Sequence, residues 1–197
     1  MAEPDLSLAP ALVASDPDWT LAVLADLDTF LKDHASCEKK ASGMALNVAS
    51  HYPDQPQLLS AMVDLAVEEL SHYREVIKLL LARNLAPGAD QKDPYILALN
   101  QHVRRGSENF LLDRLLVGAV VERRGAERFG LLAEALTDPE LAKFYLSITR
   151  SEERHWLLFV DLALEHCDQQ AVWPRLAELS DAEAEVLSGL PLRPALH

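Results

Sequence analysis

Six residues of this 197-residue chain have the types and spacing of metal ligands. Glu69 and His72 lie three apart within "LLSAMVDLAVEELSHYREVIKLLL", and Glu152 and His155 lie three apart within "FYLSITRSEERHWLLFVDLAL". Both runs carry an apolar stripe with a helical period. Residues i and i+3 share one helix face, so each pair turns a carboxylate and an imidazole into an apolar stripe. Glu38 and Glu122 fall on the apolar stripes of two further helices. A lone carboxylate in a low-dielectric core is prohibitively costly unless it is paired, protonated or bound to a metal. Four carboxylates and two imidazoles at one level of a core form the ligand set of a carboxylate-bridged two-metal site, where Glu-x-x-His gives each metal a terminal imidazole and a bridging carboxylate. Oxygen-rich ligands with one nitrogen per metal suit iron or manganese; without thiolates a structural zinc is not expected.

With 16 glutamates and 7 histidines, about one Glu-x-x-His pair arises by chance. Repetition is what singles these out. Glu69 follows Glu38 by 31 residues and Glu152 follows Glu122 by 30; "CEKKA" answers "VERRG"; Pro56 and Pro139 each precede the second glutamate by 13. Glu153 adjoins Glu152, but only Glu152 keeps the i, i+3 spacing to His155.

Four long helices must position these groups. The first pattern runs from Ser15 or Asp16 as cap, with Pro17 in the first turn, to the turn signal "YPDQP", with the stripe Leu24, Leu27, Leu31, Ala35, Glu38, Ala41, Ala45. The second starts after Pro56 and reaches about Arg83. "NLAPGADQKDP" breaks it, and "YILALNQHV" reads as a short helix in a long connection. The third opens at a capping-type Ser107, and "TDPE" both ends it and caps the fourth. Each helix has roughly 28 residues, or about 40 Å at 1.5 Å per residue. Short links join first to second and third to fourth as antiparallel hairpins, and a connection of more than twenty residues crosses between the pairs. Past residue 167 the pattern weakens: "SDAEAEVLSG" reads as a short capped helix, and "LPLRPALH" as a loosely attached tail. The expected architecture is therefore all-α: a four-helix bundle with a long crossover between helices two and three and short peripheral helices. It is expected to be a single domain over 1–197, with a core bundle at about 17–166 and an extension at 168–197.

Composition agrees. The chain is 49% hydrophobic with only 7 glycines, which suits an all-α domain with a sizeable core. No apolar run approaches about 20 residues, so no membrane span is expected. The acidic start "MAEPDLSLAPALVASDPDW" is not a secretory signal. Two isolated cysteines, Cys37 and Cys167, are no disulfide framework and point to a reducing cytoplasm; Cys37 is expected to be structural. His34, one turn before Glu38, is either a support for that ligand or a satisfied core histidine. Tyr73 and Tyr145 are expected in the core. Gly118 and Gly125 bracket Glu122 and serve either close helix packing or room beside the metals.

The pattern resembles the ferritin-like two-iron superfamily over roughly residues 17–166. A rubrerythrin would add Cys-x-x-Cys motifs, and a ferritin lacks Glu-x-x-His on both hairpins, so the set looks more like an oxygenase. "FLKDHASCEKKA", "AVEELSHYREV", "VGAVVERRGAERF" and "SEERHWLLFVDLA" resemble the ligand-bearing segments of the MiaE family of tRNA hydroxylases. That resemblance implies that Glu38, Glu69, His72, Glu122, Glu152 and His155 carry two iron ions. It also implies dioxygen as co-substrate, an external two-electron donor such as a ferredoxin or reductase, and tRNA as substrate, hydroxylated on the isopentenyl group of 2-methylthio-isopentenyl adenosine. Alternatives are a demethoxyubiquinone-type hydroxylase, which needs an apolar surface for the bilayer, an iron-binding or iron-oxidising protein, and a metal-free interaction module. A monomer or dimer is expected. The net charge of −13 opposes bulk attraction to RNA. Arg104, Arg105, Arg114, Arg123, Arg124 and Arg128, with Lys39 and Lys40, either form a local positive rim or are solvated faces paired with glutamates.

Overall fold

The computed structural model describes residues 4–197, without the side chains of residues 107 and 108. Seven α-helices and two short 3-10 turns, Leu6–Leu8 and Asn100–His102, make up its regular structure, and no strand occurs among the described residues. The helices are α1 (Pro17–Ala25), α2 (Leu27–His51), α3 (Pro56–Ala82), α4 (Pro94–Leu99), α5 (Ser107–Ala135), α6 (Pro139–His166) and α7 (Gln169–Gly189). The chain forms two compact units.

One unit comprises residues 21–91 with 193–196 and is built on the α2–α3 hairpin. Its helices run antiparallel: Ser42 donates to the Ala66 carbonyl at 2.8 Å, while Glu38, one turn earlier, faces Glu69 and His72. Phe30, Leu31, Ala45, Leu58, Met62, Val76 and Leu80 are buried on the inward faces. Pro56 occupies the first turn of α3, where its missing N–H costs nothing. The other end of α3 closes through Asn84 at φ +58°, with Leu85 N–H donating to the Leu80 carbonyl at 2.9 Å and Asn84 N–H to Leu81 at 3.0 Å. This paired closure satisfies carbonyls that a helix end otherwise leaves open.

The other unit comprises residues 4–20, 92–192 and 197, and is built on the α5–α6 hairpin with α7 packed against it and α4 packed against α7. Gly118 meets Phe159, Gly125 meets Glu152 and Gly130 meets Thr149, an antiparallel register. Asp138 caps α6 by accepting from Glu140 and Leu141 N–H, as "TDPE" predicts. Tyr145 is buried and stacked on Phe129, a core role.

Several sequence expectations are corrected. The first pattern is two helices: the chain leaves helical geometry at Asp26 (φ −143°), whose side chain accepts from Thr29 N–H and restarts α2. The break shifts the inward face, so Trp19 and Val23 are buried while Leu24 is exposed. Gly106 (φ +128°) holds the cap position of α5; Ser107, expected there, is its first residue, and its side chain lies outside the described part. Helix α7 has 21 residues and tolerates Pro174 inside it, because Val172, Leu176 and Leu179 are buried and anchor it. The tail is docked, not loose: Leu196 N–H donates to Asp33 at 2.7 Å, and His197 stacks on Tyr95 with ring centroids 4.4 Å apart.

Candidate metal centre

Each hairpin gathers its own glutamate, its Glu-x-x-His carboxylate and its imidazole. In the α2–α3 hairpin, His72 Nδ1 lies 3.6 Å from Glu38 Oε2 and 3.5 Å from Glu69 Oε2. In the α5–α6 hairpin, His155 Nδ1 lies 3.6 Å from Glu122 Oε2 and 3.9 Å from Glu152 Oε1. The same imidazole nitrogen thus faces both carboxylates in both hairpins. Glu38, Glu69, Glu122, Glu152 and His155 are buried, and His72 is nearly so.

These separations suit a metal. Carboxylate oxygen and imidazole nitrogen bind zinc-sized cations at about 2.0–2.2 Å, so two ligands of one ion lie about 3–4 Å apart. The observed 3.5–3.9 Å is long for a hydrogen bond. Three such groups in each hairpin form a donor set for a hard or intermediate divalent cation.

The electrostatics of the α2–α3 half are strongly perturbed. Burial pushes the Glu38 carboxyl up, but the His34 contact and the nearby His72 imidazole outweigh it and hold it well below the usual carboxylate range. Burial pushes His72 down, but Glu38 and Glu69 outweigh it and raise the imidazole to about 10. Without a cation, His72 therefore carries a proton that a metal must displace.

The two halves differ in their supports. His34 Nε2 lies 2.6 Å from Glu38 Oε1, and His34 is fully buried. Of the two roles left open for it, the structure shows contact with the candidate ligand. The signal was its i−4 spacing on the same stripe. The repeat aligns His34 with Gly118, where a side chain would stand 2.8 Å from the Phe159 ring. Gly118 therefore serves close packing. Gly125 has a different neighbour, the Glu152 carboxylate.

The two readings left open for the basic residues, a positive rim or solvated faces, do not describe Arg124 and Arg128, which are buried. Arg124 is fully buried; its Nε and Nη2 donate to Glu183 at 2.7 and 2.9 Å, and its Nη1 to Glu127 at 2.6 Å. Arg128 is buried over the Trp19 ring and donates to Ser15 Oγ at 3.0 Å. Arg123 donates to the Pro10 carbonyl at 2.7 Å and lies over Trp156. Arg104 pairs with Asp113, and Lys39 and Lys40 tie Asp90 and the Gln91 carbonyl to α2. α7 and the N-terminal segment cover Arg124 and half-cover Arg123, whereas Lys39 and Lys40 stay exposed. Residues that remain exposed include Lys143, Arg150 and Arg154, which share the outer face of α6.

No helix among the described residues is long and apolar enough to cross a membrane. Comparison with known proteins places this geometry in context. The sequence profile of a family described as "tRNA-(MS[2]IO[6]A)-hydroxylase (MiaE)" matches residues 13–197. A Pseudomonas putida protein named tRNA 2-(methylsulfanyl)-N(6)-isopentenyladenosine(37) hydroxylase is 34% identical over 201 residues, covering 94% of this chain and 98% of its own. A Salmonella typhimurium protein of the same name is 34% identical over 131 residues, covering 66% of this chain and 48% of its own. A solved structure, protein 43 with aldehyde deformylating oxygenase activity from Synechococcus, is 34% identical with a TM-score of 0.88, covering 94% of this chain and 92% of its own. The fold class is the one expected, all-α and ferritin-like.

Proposed function

This chain belongs to the MiaE family of tRNA hydroxylases, and we propose that it hydroxylates the isopentenyl group of 2-methylthio-isopentenyl adenosine at position 37 of tRNA. Glu38, Glu69, His72, Glu122, Glu152 and His155 carry two iron ions in this reading. The observation that supports it most is the twofold repetition of a buried Glu with Glu-x-x-His, each imidazole nitrogen 3.5–3.9 Å from two carboxylates. When bound, the iron pair supplies dioxygen activation, which the side chains of this protein cannot perform. The carboxylates offset the cationic charge, His34 holds Glu38 in one orientation, and the apolar core around the ligands keeps bulk water away. One oxygen atom of dioxygen enters the C–H bond and the other leaves as water. Two electrons and two protons come from outside, so a ferredoxin-like or reductase partner is required. The reaction belongs to the cytoplasm, where tRNA is the substrate, and is carried out by a monomer or dimer of one ferritin-like domain.

The deciding experiment compares tRNA nucleosides by mass from cells with and without this protein. The expected result is loss of the prenyl adenosine that is one oxygen atom heavier, with its unhydroxylated precursor accumulating. An unchanged nucleoside profile refutes the tRNA reading. A second reading, an aldehyde-cleaving oxygenase, draws on the name of the Synechococcus protein. Turnover of an aldehyde by the iron-loaded protein, with the tRNA profile unchanged, favours it instead.

A further inference from the structure

We infer that Gly125 is a positioning residue for the metal centre: its missing side chain leaves the seat against which the Glu152 carboxylate rests. This rests on the reading of Glu152 as a ligand.

Three glycines of α5 face α6, and a methyl group added at each meets something different. At Gly118 it would stand 2.8 Å from Phe159 Cε1, closer than carbon atoms approach. At Gly130 it would stand 3.6 Å from Thr149 Cγ2, an ordinary contact. At Gly125 it would stand 3.2 Å from Glu152 Oε2 and 3.8 Å from its Cδ. Glycine inside a helix is unfavourable relative to alanine. At Gly118 an apolar ring accounts for it. At Gly125 the neighbour is a buried carboxylate, one turn beyond Glu122 on the same helix. At 3.2 Å the contact is tighter than ordinary van der Waals packing, so the Glu152 carboxylate must give way. A methyl group at Gly125 therefore displaces Oε2 by a few tenths of an ångström. Such a shift matters little for packing and much for coordination, where ligand distances are tolerated within about 0.2 Å.

The test compares Gly125→Ala with Gly130→Ala and the parent, each titrated with cobalt(II) and melted metal-free. If neither glycine serves the metal centre or the packing, both variants give the same outcome: an unchanged or higher metal-free Tm and unchanged cobalt binding. The expected result is instead that Gly125→Ala keeps or gains Tm, while binding of one of two cobalt ions weakens by about tenfold or more and the visible ligand-field spectrum changes. Gly130→Ala should bind cobalt as the parent does. Gly125→Ala with the parent's affinity and spectrum overturns the inference, as does a fall in its metal-free Tm, which would assign the glycine to packing. A parent chain that takes up no cobalt refutes the metal reading itself.

Discussion

Replacing Arg124 by methionine separates a basic residue that binds RNA from one that holds the protein together. Arg124 has no exposed surface, and five oxygens receive its protons: both of Glu183, Glu127 Oε2, the Val13 carbonyl at 2.8 Å and Ser15 Oγ at 3.2 Å. Burial pushes the guanidinium down, but Glu183 and Glu127 outweigh it and raise its proton affinity. Methionine fills most of the volume and removes the charge. Glu127 is partly exposed and regains water, but Glu183 is 1% exposed and, among the described residues, keeps the Tyr95 hydroxyl, at 3.0 Å. Breaking a buried pair from one side costs about 3–5 kcal/mol. In a chain of this size 1 kcal/mol moves Tm by about 2–4 °C, so Arg124→Met should melt roughly 6–20 °C below the parent. Adding Glu183→Met removes the stranded carboxylate, and the double variant should recover most of the loss. Circular dichroism melts of the three proteins provide the comparison. Binding of tRNA, measured across salt concentrations on folded protein, should keep its slope, because a buried cation releases no counterions. An Arg124→Met protein that melts within about 2 °C of the parent and loses about one unit of salt slope refutes this assignment and restores Arg124 to the RNA surface.

Arg150→Ala with Arg154→Ala should lower the salt slope of tRNA binding by about one to two units without changing Tm; an unchanged slope removes the outer face of α6 as an RNA contact. His34→Leu should weaken cobalt binding by about 10–100-fold, as loss of a ligand's hydrogen-bonded support does, and parental affinity would show that the 2.6 Å contact with Glu38 is incidental. Burial pushes the Asp113 carboxyl up, but Arg104 and Arg175 outweigh it and hold it below its usual value. Its stabilisation is therefore present above the unfolded value of about 3.9 and lost as pH falls through the lower folded value. Asp113→Asn should lower Tm at neutral pH and flatten the fall of Tm below about pH 4, and an unaltered acid limb counts against the pair. Gly118→Ala should destabilise by about 1–3 kcal/mol through overpacking on Phe159 yet bind cobalt normally; a stable variant would show that the ring moves aside.

The four long helices, their two-hairpin order and the inward turn of the carboxylates and imidazoles on their apolar stripes are legible in the sequence because each depends on local periodicity. A carboxylate on an apolar stripe is visible as an anomaly without coordinates, and its repetition at matched spacing tells the anomaly from chance. The break at Asp26 was not legible, because one side chain capping Thr29 outweighs an apolar pattern that continues across it. Nor was the fate of the arginines. "EKK" and "ERR" look alike in sequence, yet Lys39 reaches an exposed aspartate while Arg124 lies under α7 against Glu183. Glu183 is 59 residues from Arg124, and only the folded chain brings that charge into reach. Whether a charge faces water or a buried partner depends on what the rest of the chain lays over it. Local spacing determined which carboxylates and imidazoles this protein turns inward; long-range packing decided which of its cations remain at the surface.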